Sequence, residues 1–247
     1  LLSETAVDTV PCYASVLWPS HPEKVADSAA AFLAQGYKAV KYGWAPMGPD
    51  AGLDEELVAA ARQALGADVD LMVDAGRAWD ADTAILRAAS FAPYNIFWLE
   101  EPLDPYDTAG YRRLAGEAAV PIAAGEAITL MEEYEQLIDE GRVHFVQPDL
   151  GRVGGITYGQ RIAARAEARG CRPVPHAFGT GVLLAASAQW TAAAAQPLTE
   201  YTRAPSPLAQ NLARCDMEFS QGSLQLGDAP GLGVELDEAV VETYRVS

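Results

Sequence analysis

Short apolar runs alternate with longer amphipathic stretches along this chain. The runs are "VPCYASV" (10–16), "YKAVKYG" (37–43), "VDLMVDA" (69–75), "NIFWLEE" (95–101), "PIAAGE" (121–126), "HFVQPD" (144–149), "RPVPHA" (172–177) and "PLTEY" (197–201). Their length, buried residue types and flanking turn signals predict strands. Helical stretches fall between them, over 22–36, 54–66, 80–92, 108–118, 130–141 and 157–170. Strands that alternate with helices predict parallel βαβ units, so the fold class is α/β. Eight strands fit a closed TIM-type barrel. An open doubly wound sheet is the competing architecture, but no G-x-G-x-x-G follows the first strand, which weakens its nucleotide-binding form. The barrel is assigned to residues 1–225. The tail, 226–247, runs through a Gly/Pro turn and reads as a C-terminal extension packed outside the barrel.

The strand ends carry the chemistry. Asp74, Glu100 and Glu126 close the third, fourth and fifth strands, each 26 residues from the next. That spacing is one β/α repeat, so a barrel brings the three carboxylates to one height on its C-terminal face, where such folds carry their sites. Three converging carboxylates repel one another without a cation. Hard oxygen donors suit Mg²⁺. This answers why "WLEEP" drives an apolar strand into two acids: Glu100 is aimed at a metal, while Glu101 alternates to the other side. Asp149 closes the sixth strand, His176 the seventh and Glu200 the eighth. An Asp in register beside a His orients the imidazole and raises its basicity. On the second strand, Lys41 lies nearer the C-terminal end than Lys38. Lys41 is a candidate for catalysis or substrate binding, with a structural ion pair as the alternative. Lys38 reads as solvated.

Composition narrows the field. The chain has 247 residues, half of them hydrophobic, and a formal net charge of −17. Such a charge argues against a nucleic-acid partner. Cys12, Cys171 and Cys215 form no CxxC pair, which fits neither a zinc knuckle nor a disulfide framework, and points to a reducing, cytoplasmic setting. No apolar stretch reaches the roughly 18 residues of a membrane span. The start, "LLSETAVDTV", has no initiator Met and no basic leader, and reads as the interior of a longer protein.

Together "VDAG" (Asp74), "WLEEP" (Glu100), "AAGE" (Glu126), "QPDLGRVGGIT" (Asp149), "PHAF" (His176), "LTEY" (Glu200) and "PGLGVEL" resemble the enolase superfamily, more closely its mandelate racemase/muconate lactonizing enzyme-like group. The resemblance implies a (β/α)7β barrel. It implies Mg²⁺ on Asp74, Glu100 and Glu126, an Asp149–His176 base dyad, and Glu200 as an acid beside the substrate. The shared step it implies is removal of the proton α to a carboxylate through an enediolate. Family members carry an N-terminal α+β capping domain, expected to be absent from this chain and to be its partner in the full-length protein. A small carboxylate substrate, an acid sugar or hydroxy acid, and a homo-oligomer are also expected. Where lysine-base members show Lys-x-Lys, this chain has Lys41 followed by Gly43. That departure favours dehydration of an acid sugar over a racemase or epimerase. A non-catalytic metal-binding barrel is the third possibility.

Overall fold

A computed structural model describes residues 2–246. Eight strands line up as expected: β1 (Thr9–Leu17), β2 (Ala39–Gly43), β3 (Asp70–Asp74), β4 (Ile96–Glu100), β5 (Ile122–Ala124), β6 (Phe145–Val146), β7 (Arg172–Pro173) and β8 (Thr199–Thr202). Seven helices connect them: α1 (Val25–Ala34), α2 (Ala51–Leu65), α3 (Ala81–Phe91), α4 (Thr108–Glu117), α5 (Met131–Gln136), α6 (Ile156–Glu167) and α7 (Gly181–Ala192). β1 to β7 pair in sequence order, all parallel, and β8 returns to pair parallel with β1. This is a (β/α)7β barrel. The described residues hold no α+β cap.

Strands six and seven are shorter than their apolar runs. Pro148, Pro173 and Pro175 have no N–H to give to a ladder. A single parallel bridge, Asp149 to His176, keeps their register beyond the regular pairing. Across the β7–β8 seam, the Ala177 N–H donates to Glu200 Oε2 at 2.6 Å, and the Arg172 guanidinium donates to the Gln196 carbonyl at 3.1 Å. The chain continues through α8 (Pro207–Asn211), β9 (Ala213–Cys215), β10 (Met217–Ser220), β11 (Ser223–Leu226), β12 (Val234–Leu236) and α9 (Glu238–Tyr244). β11 lies antiparallel to the start of β1, and β12 pairs with β9. α7 packs against β1, β9, β11 and β12, so it is buried on several sides. Its sequence is apolar all round for that reason, and it shows no helical stripe.

Side chains inside the barrel form two levels. Tyr13, Ala39, Met72, Trp98, Ala123, Val174 and Leu198 fill the lower one. Tyr13 meets Trp98 edge to face, with centroids 5.5 Å apart. Two residues further along the strands, the same inward face carries Ser15, Lys41, Asp74, Glu100, His176 and Glu200, all buried. The period of two in a strand therefore places a polar level directly above an apolar plug. β5 is the exception, since Glu126 stands three residues beyond Ala123. Gly125, at φ 129°, absorbs the extra residue, and a Cβ there would come 3.1 Å from the Gln147 nitrogen.

The loop after β2 is pinned from below. Asp54 is fully buried in the first turn of α2; it accepts from the Gly48 N–H at 2.8 Å and from Arg87 Nε at 2.8 Å. Trp79 Nε1 donates to the Gly48 carbonyl at 2.9 Å. Asp54→Ala strips the arginine and the amide of their acceptor at once. The expected result is a loss of about 3 kcal/mol, read as a lower urea midpoint with an unchanged m-value.

Candidate active site

Asp74, Glu100 and Glu126 meet at the C-terminal end of the barrel. One oxygen from each lies within 4.8 Å of the others. All three are buried. Burial and the Glu100 charge push the Asp74 carboxyl well above its usual range, against the pull of Lys41. Burial also raises Glu100, again opposed by Lys41. A cluster that resists ionisation in this way is relieved by a cation. The donor set, oxygen only and converging, fits a hard divalent ion.

Glu100 is held on both oxygens. Lys41 Nζ bonds Oε1, while Trp98 Nε1 donates to Oε2 at 2.8 Å and Gln147 Nε2 at 2.7 Å. Trp98 and Gln147 therefore aim a ligand. Neither stands out in the sequence as more than a core aromatic and an amide before a proline. Lys41 also lies 2.9 Å from Glu200 Oε1. Burial works against its charge, yet Glu100 and Glu200 hold its pKa well above the ordinary lysine value. Glu200 answers in kind: burial opposes its ionisation, but Lys41 and His176 pull it down to about 2. Lys41 thus stands inside the barrel end as an ion-paired cation. Lys38 is exposed, as expected.

His176 Nδ1 is 2.7 Å from Asp149 Oδ2. Asp149 Oδ1 accepts from the Gly151 N–H at 2.8 Å and the Arg152 N–H at 3.2 Å. An ionised carboxylate only accepts, so the ring donates from Nδ1 and turns Nε2 inward. Nε2 lies 3.1 Å from Glu126 Oε2 and 3.9 Å from Glu200 Oε2. Burial lowers the affinity of the ring for a proton, but Glu200, Asp149 and Glu126 outweigh it and raise the pKa to about 9. Asp149 falls below its usual range: burial opposes this, and the bond from His176 and the charge of Arg152 prevail. Arg152 was not singled out in the sequence. Its guanidinium donates to the Glu126 carbonyl at 2.6 Å and lies 3.6 Å from Asp149 Oδ2. It links the ends of strands five and six.

Glu101 does not join the carboxylate cluster. It turns out of the strand with a left-handed backbone, φ 39°, so simple alternation stops applying. Its buried carboxylate faces Arg77 Nε at 3.6 Å. Burial first, then Glu126 and Glu100, push its pKa up to about 7.

A cavity of about 160 Å³ opens above these groups. Lys41, Asp74, Glu126, His176 and Glu200 form its floor, and Leu17, Trp44, Arg152 and Phe178 are among the groups around it. Leu17, Trp44 and Phe178 are exposed, which makes the mouth apolar at its rim.

A parallel barrel with three converging acids on successive strands and a His–Asp pair on the next two defines the class of protein: a β/α barrel with a candidate divalent-metal site at its C-terminal end. The chain belongs to the enolase superfamily: residues 24–240 match the family model described as "Enolase C-terminal domain-like". It is 32% identical over 240 residues to a D-galactarolactone cycloisomerase of Agrobacterium fabrum, covering 91% of this chain and 62% of that protein. It is 38% identical over 190 residues to an L-talarate/galactarate dehydratase of Salmonella typhimurium, covering 77% of this chain and 46% of that protein. The crystal structure of a 3,6-anhydro-D-galactonate cycloisomerase from Zobellia galactanivorans superposes with a TM-score of 0.92 at 31% identity, over 98% of this chain and 68% of that one. The chain therefore spans less than two thirds of those two curated relatives. Among the described residues, no helix is long and apolar enough to cross a membrane.

A divalent cation that binds here stabilises the fold by mass action, about 2.7 kcal/mol at a hundred times its Kd. Titration with Mg²⁺ or Mn²⁺ should raise Tm, EDTA should reverse the rise, and Glu126→Gln should flatten it.

Proposed function

We propose that this barrel removes the proton α to a carboxylate in an acid sugar and then expels the β-hydroxyl, as a Mg²⁺-dependent dehydratase. The observation that carries the reading is the His176–Asp149 pair, whose free nitrogen faces the same small cavity as the Asp74–Glu100–Glu126 cluster. Base and metal site must share one pocket, because the carboxylate and its α-carbon are adjacent atoms. Asp74, Glu100 and Glu126 would hold Mg²⁺. When bound, that ion supplies positive charge to the substrate carboxylate, whose own negative charge grows as the α-proton leaves.

The chain's residues then have distinct tasks. Asp149 holds the ring with Nδ1 protonated, which leaves Nε2 to take the α-proton. A cation among the three carboxylates offsets the acids that raise His176, and so brings the free base within reach of neutral pH. Lys41 and Glu200 share the cavity floor with this base; Lys41 offers positive charge near the developing anion, and Glu200, 2.9 Å from its Nζ, keeps it in place. As Cα–H breaks, its electron pair is delocalised onto the carboxylate as an enediolate; the pair then returns to form Cα=Cβ as the Cβ–O bond breaks. The β-oxygen leaves and takes a proton from the imidazolium. The products are water and an enol, which tautomerises to a 2-keto acid.

Gly43 supports elimination over racemisation. Racemisation needs a group on each face of the α-carbon, and the family's second strand lysine would fall at position 43. A Cβ there would sit 2.7 Å from Asp74 Cβ and 2.8 Å from its Oδ2, so no side chain fits without moving a metal ligand. The relative named as an L-talarate/galactarate dehydratase favours the same elimination chemistry. A capping domain packed around the apolar rim of the mouth would close the pocket over the bound substrate.

His176→Asn should abolish α-proton exchange with acid sugars in D₂O and leave the metal-dependent Tm rise intact. Exchange that survives this substitution would move the base to Lys41. Lys41→Met should lower turnover by about a hundredfold, as loss of one preorganised charge does; full turnover would reduce Lys41 to a structural ion pair.

A further inference from the structure

Six non-glycine residues among those described have a left-handed backbone: Trp44, Arg77, Asn95, Glu101, Arg142 and Gln221. Three of the six form one chain of contacts. Trp44 follows β2, Arg77 follows β3 and Glu101 follows β4, each just past the C-terminal end of its strand. Arg77 Nε lies 3.6 Å from Glu101 Oε2, and the guanidinium lies 5.6 Å from the Trp44 ring centroid. Their backbones are tied as well. The Arg77 N–H donates to the Glu101 carbonyl at 2.6 Å, and the Trp44 N–H donates to the Asp74 carbonyl at 3.0 Å. A bulky residue holds a positive φ only where its surroundings dictate it, and such strain gathers at functional positions.

The strain has a visible result. A Cβ added to Gly76 would come 3.2 Å from the Trp44 ring, so the indole rests on that turn. Its remaining surface, 43% of the residue, is exposed and lines the mouth of the cavity. On the acid-sugar reading the floor groups address the carboxylate and the α-carbon, and the rest of the polyhydroxy chain extends toward the rim, where Leu17, Trp44 and Phe178 offer apolar surface. A sugar chain presents C–H faces between its hydroxyls, and an indole is the rim group with the largest flat face to meet them.

We propose that Trp44 is a specificity-determining residue whose exposed face stacks on the carbon chain of the polyhydroxy acid, with Arg77 and buried Glu101 as the positioning residues that hold the ring in place. This rests on the acid-sugar reading above. It gives the second glutamate of "WLEEP" a task distinct from that of the first: Glu100 aims at the metal and Glu101 fixes the lip.

The test uses the full-length protein loaded with Mg²⁺, with galactarate and gluconate as probes. Binding is read in the His176→Asn background from quenching of tryptophan emission, and turnover in the otherwise unaltered protein. Trp44→Ala should raise KM about tenfold, as the loss of one aromatic contact does, with kcat changed far less. It should also remove most of the quench. Trp44→Phe should restore binding to within about threefold. Glu101→Gln and Arg77→Met should each raise KM in the same direction, and neither should add to Trp44→Ala, because they act through the same ring. Metal-dependent Tm shifts should be the same in all variants. Unchanged probe binding in Trp44→Ala would overturn the proposal, as would a loss confined to kcat or additive effects of Glu101→Gln. A wild-type protein that binds a probe through Trp44 yet exchanges no α-proton would leave this inference standing and sink the dehydratase reading instead. Absence of any probe binding would overturn the platform itself.

Discussion

Lys41, Asp74, Glu100, Glu126, Asp149, His176 and Glu200 are all buried in one end of the barrel, and five of the seven are acids. Unbalanced charge in such a place is expensive, so every neighbour must be arranged to offset it. Lys41 is shared by Glu100 and Glu200, His176 by Asp149 and Glu126, and Arg152 reaches from Glu126 to Asp149. These pairs leave Asp74 with the least compensation, which is why burial and Glu100 push its carboxyl so far up. A divalent cation is the natural completion of the set.

The barrel supplies what that balance requires. An apolar plug of Tyr13, Met72, Trp98 and Leu198 seals the lower side, so the charged level has solvent on one side only. Low dielectric makes each preorganised contact stronger than it would be in water. The same fold separates tasks by height. The floor carries groups suited to proton transfer and charge, and the rim carries Leu17, Trp44 and Phe178, suited to shape.

Much of this was legible in one dimension. A strand repeats every two residues and a β/α unit recurs after a couple of dozen, so the positions of Asp74, Glu100, Glu126, Asp149, His176 and Glu200 follow from local pattern alone. Each stands at the end of an apolar run, and the bridge between Asp149 and His176 keeps the register that their spacing implied. α7 escaped that reading because β9, β11 and β12 cover the side that a barrel helix normally shows to water. Periodicity reports burial on one face, and it falls silent when several faces are buried.

The sequence by itself determined the alternation of strands and helices and the acids at the strand ends, because these depend on short-range periods and on a repeat that recurs along the chain; closure into a barrel rather than an open sheet was decided by β8 returning to pair with β1. Only the tertiary structure decided which partners those acids have. Gln147 and Trp98 on Glu100, Arg152 between Glu126 and Asp149, and Arg77 between Trp44 and Glu101 are contacts across strands, set by how far each loop turns after its strand ends. Those turns rest on left-handed residues and on Gly125, whose dihedral angles come from packing with distant segments rather than from their neighbours in the chain.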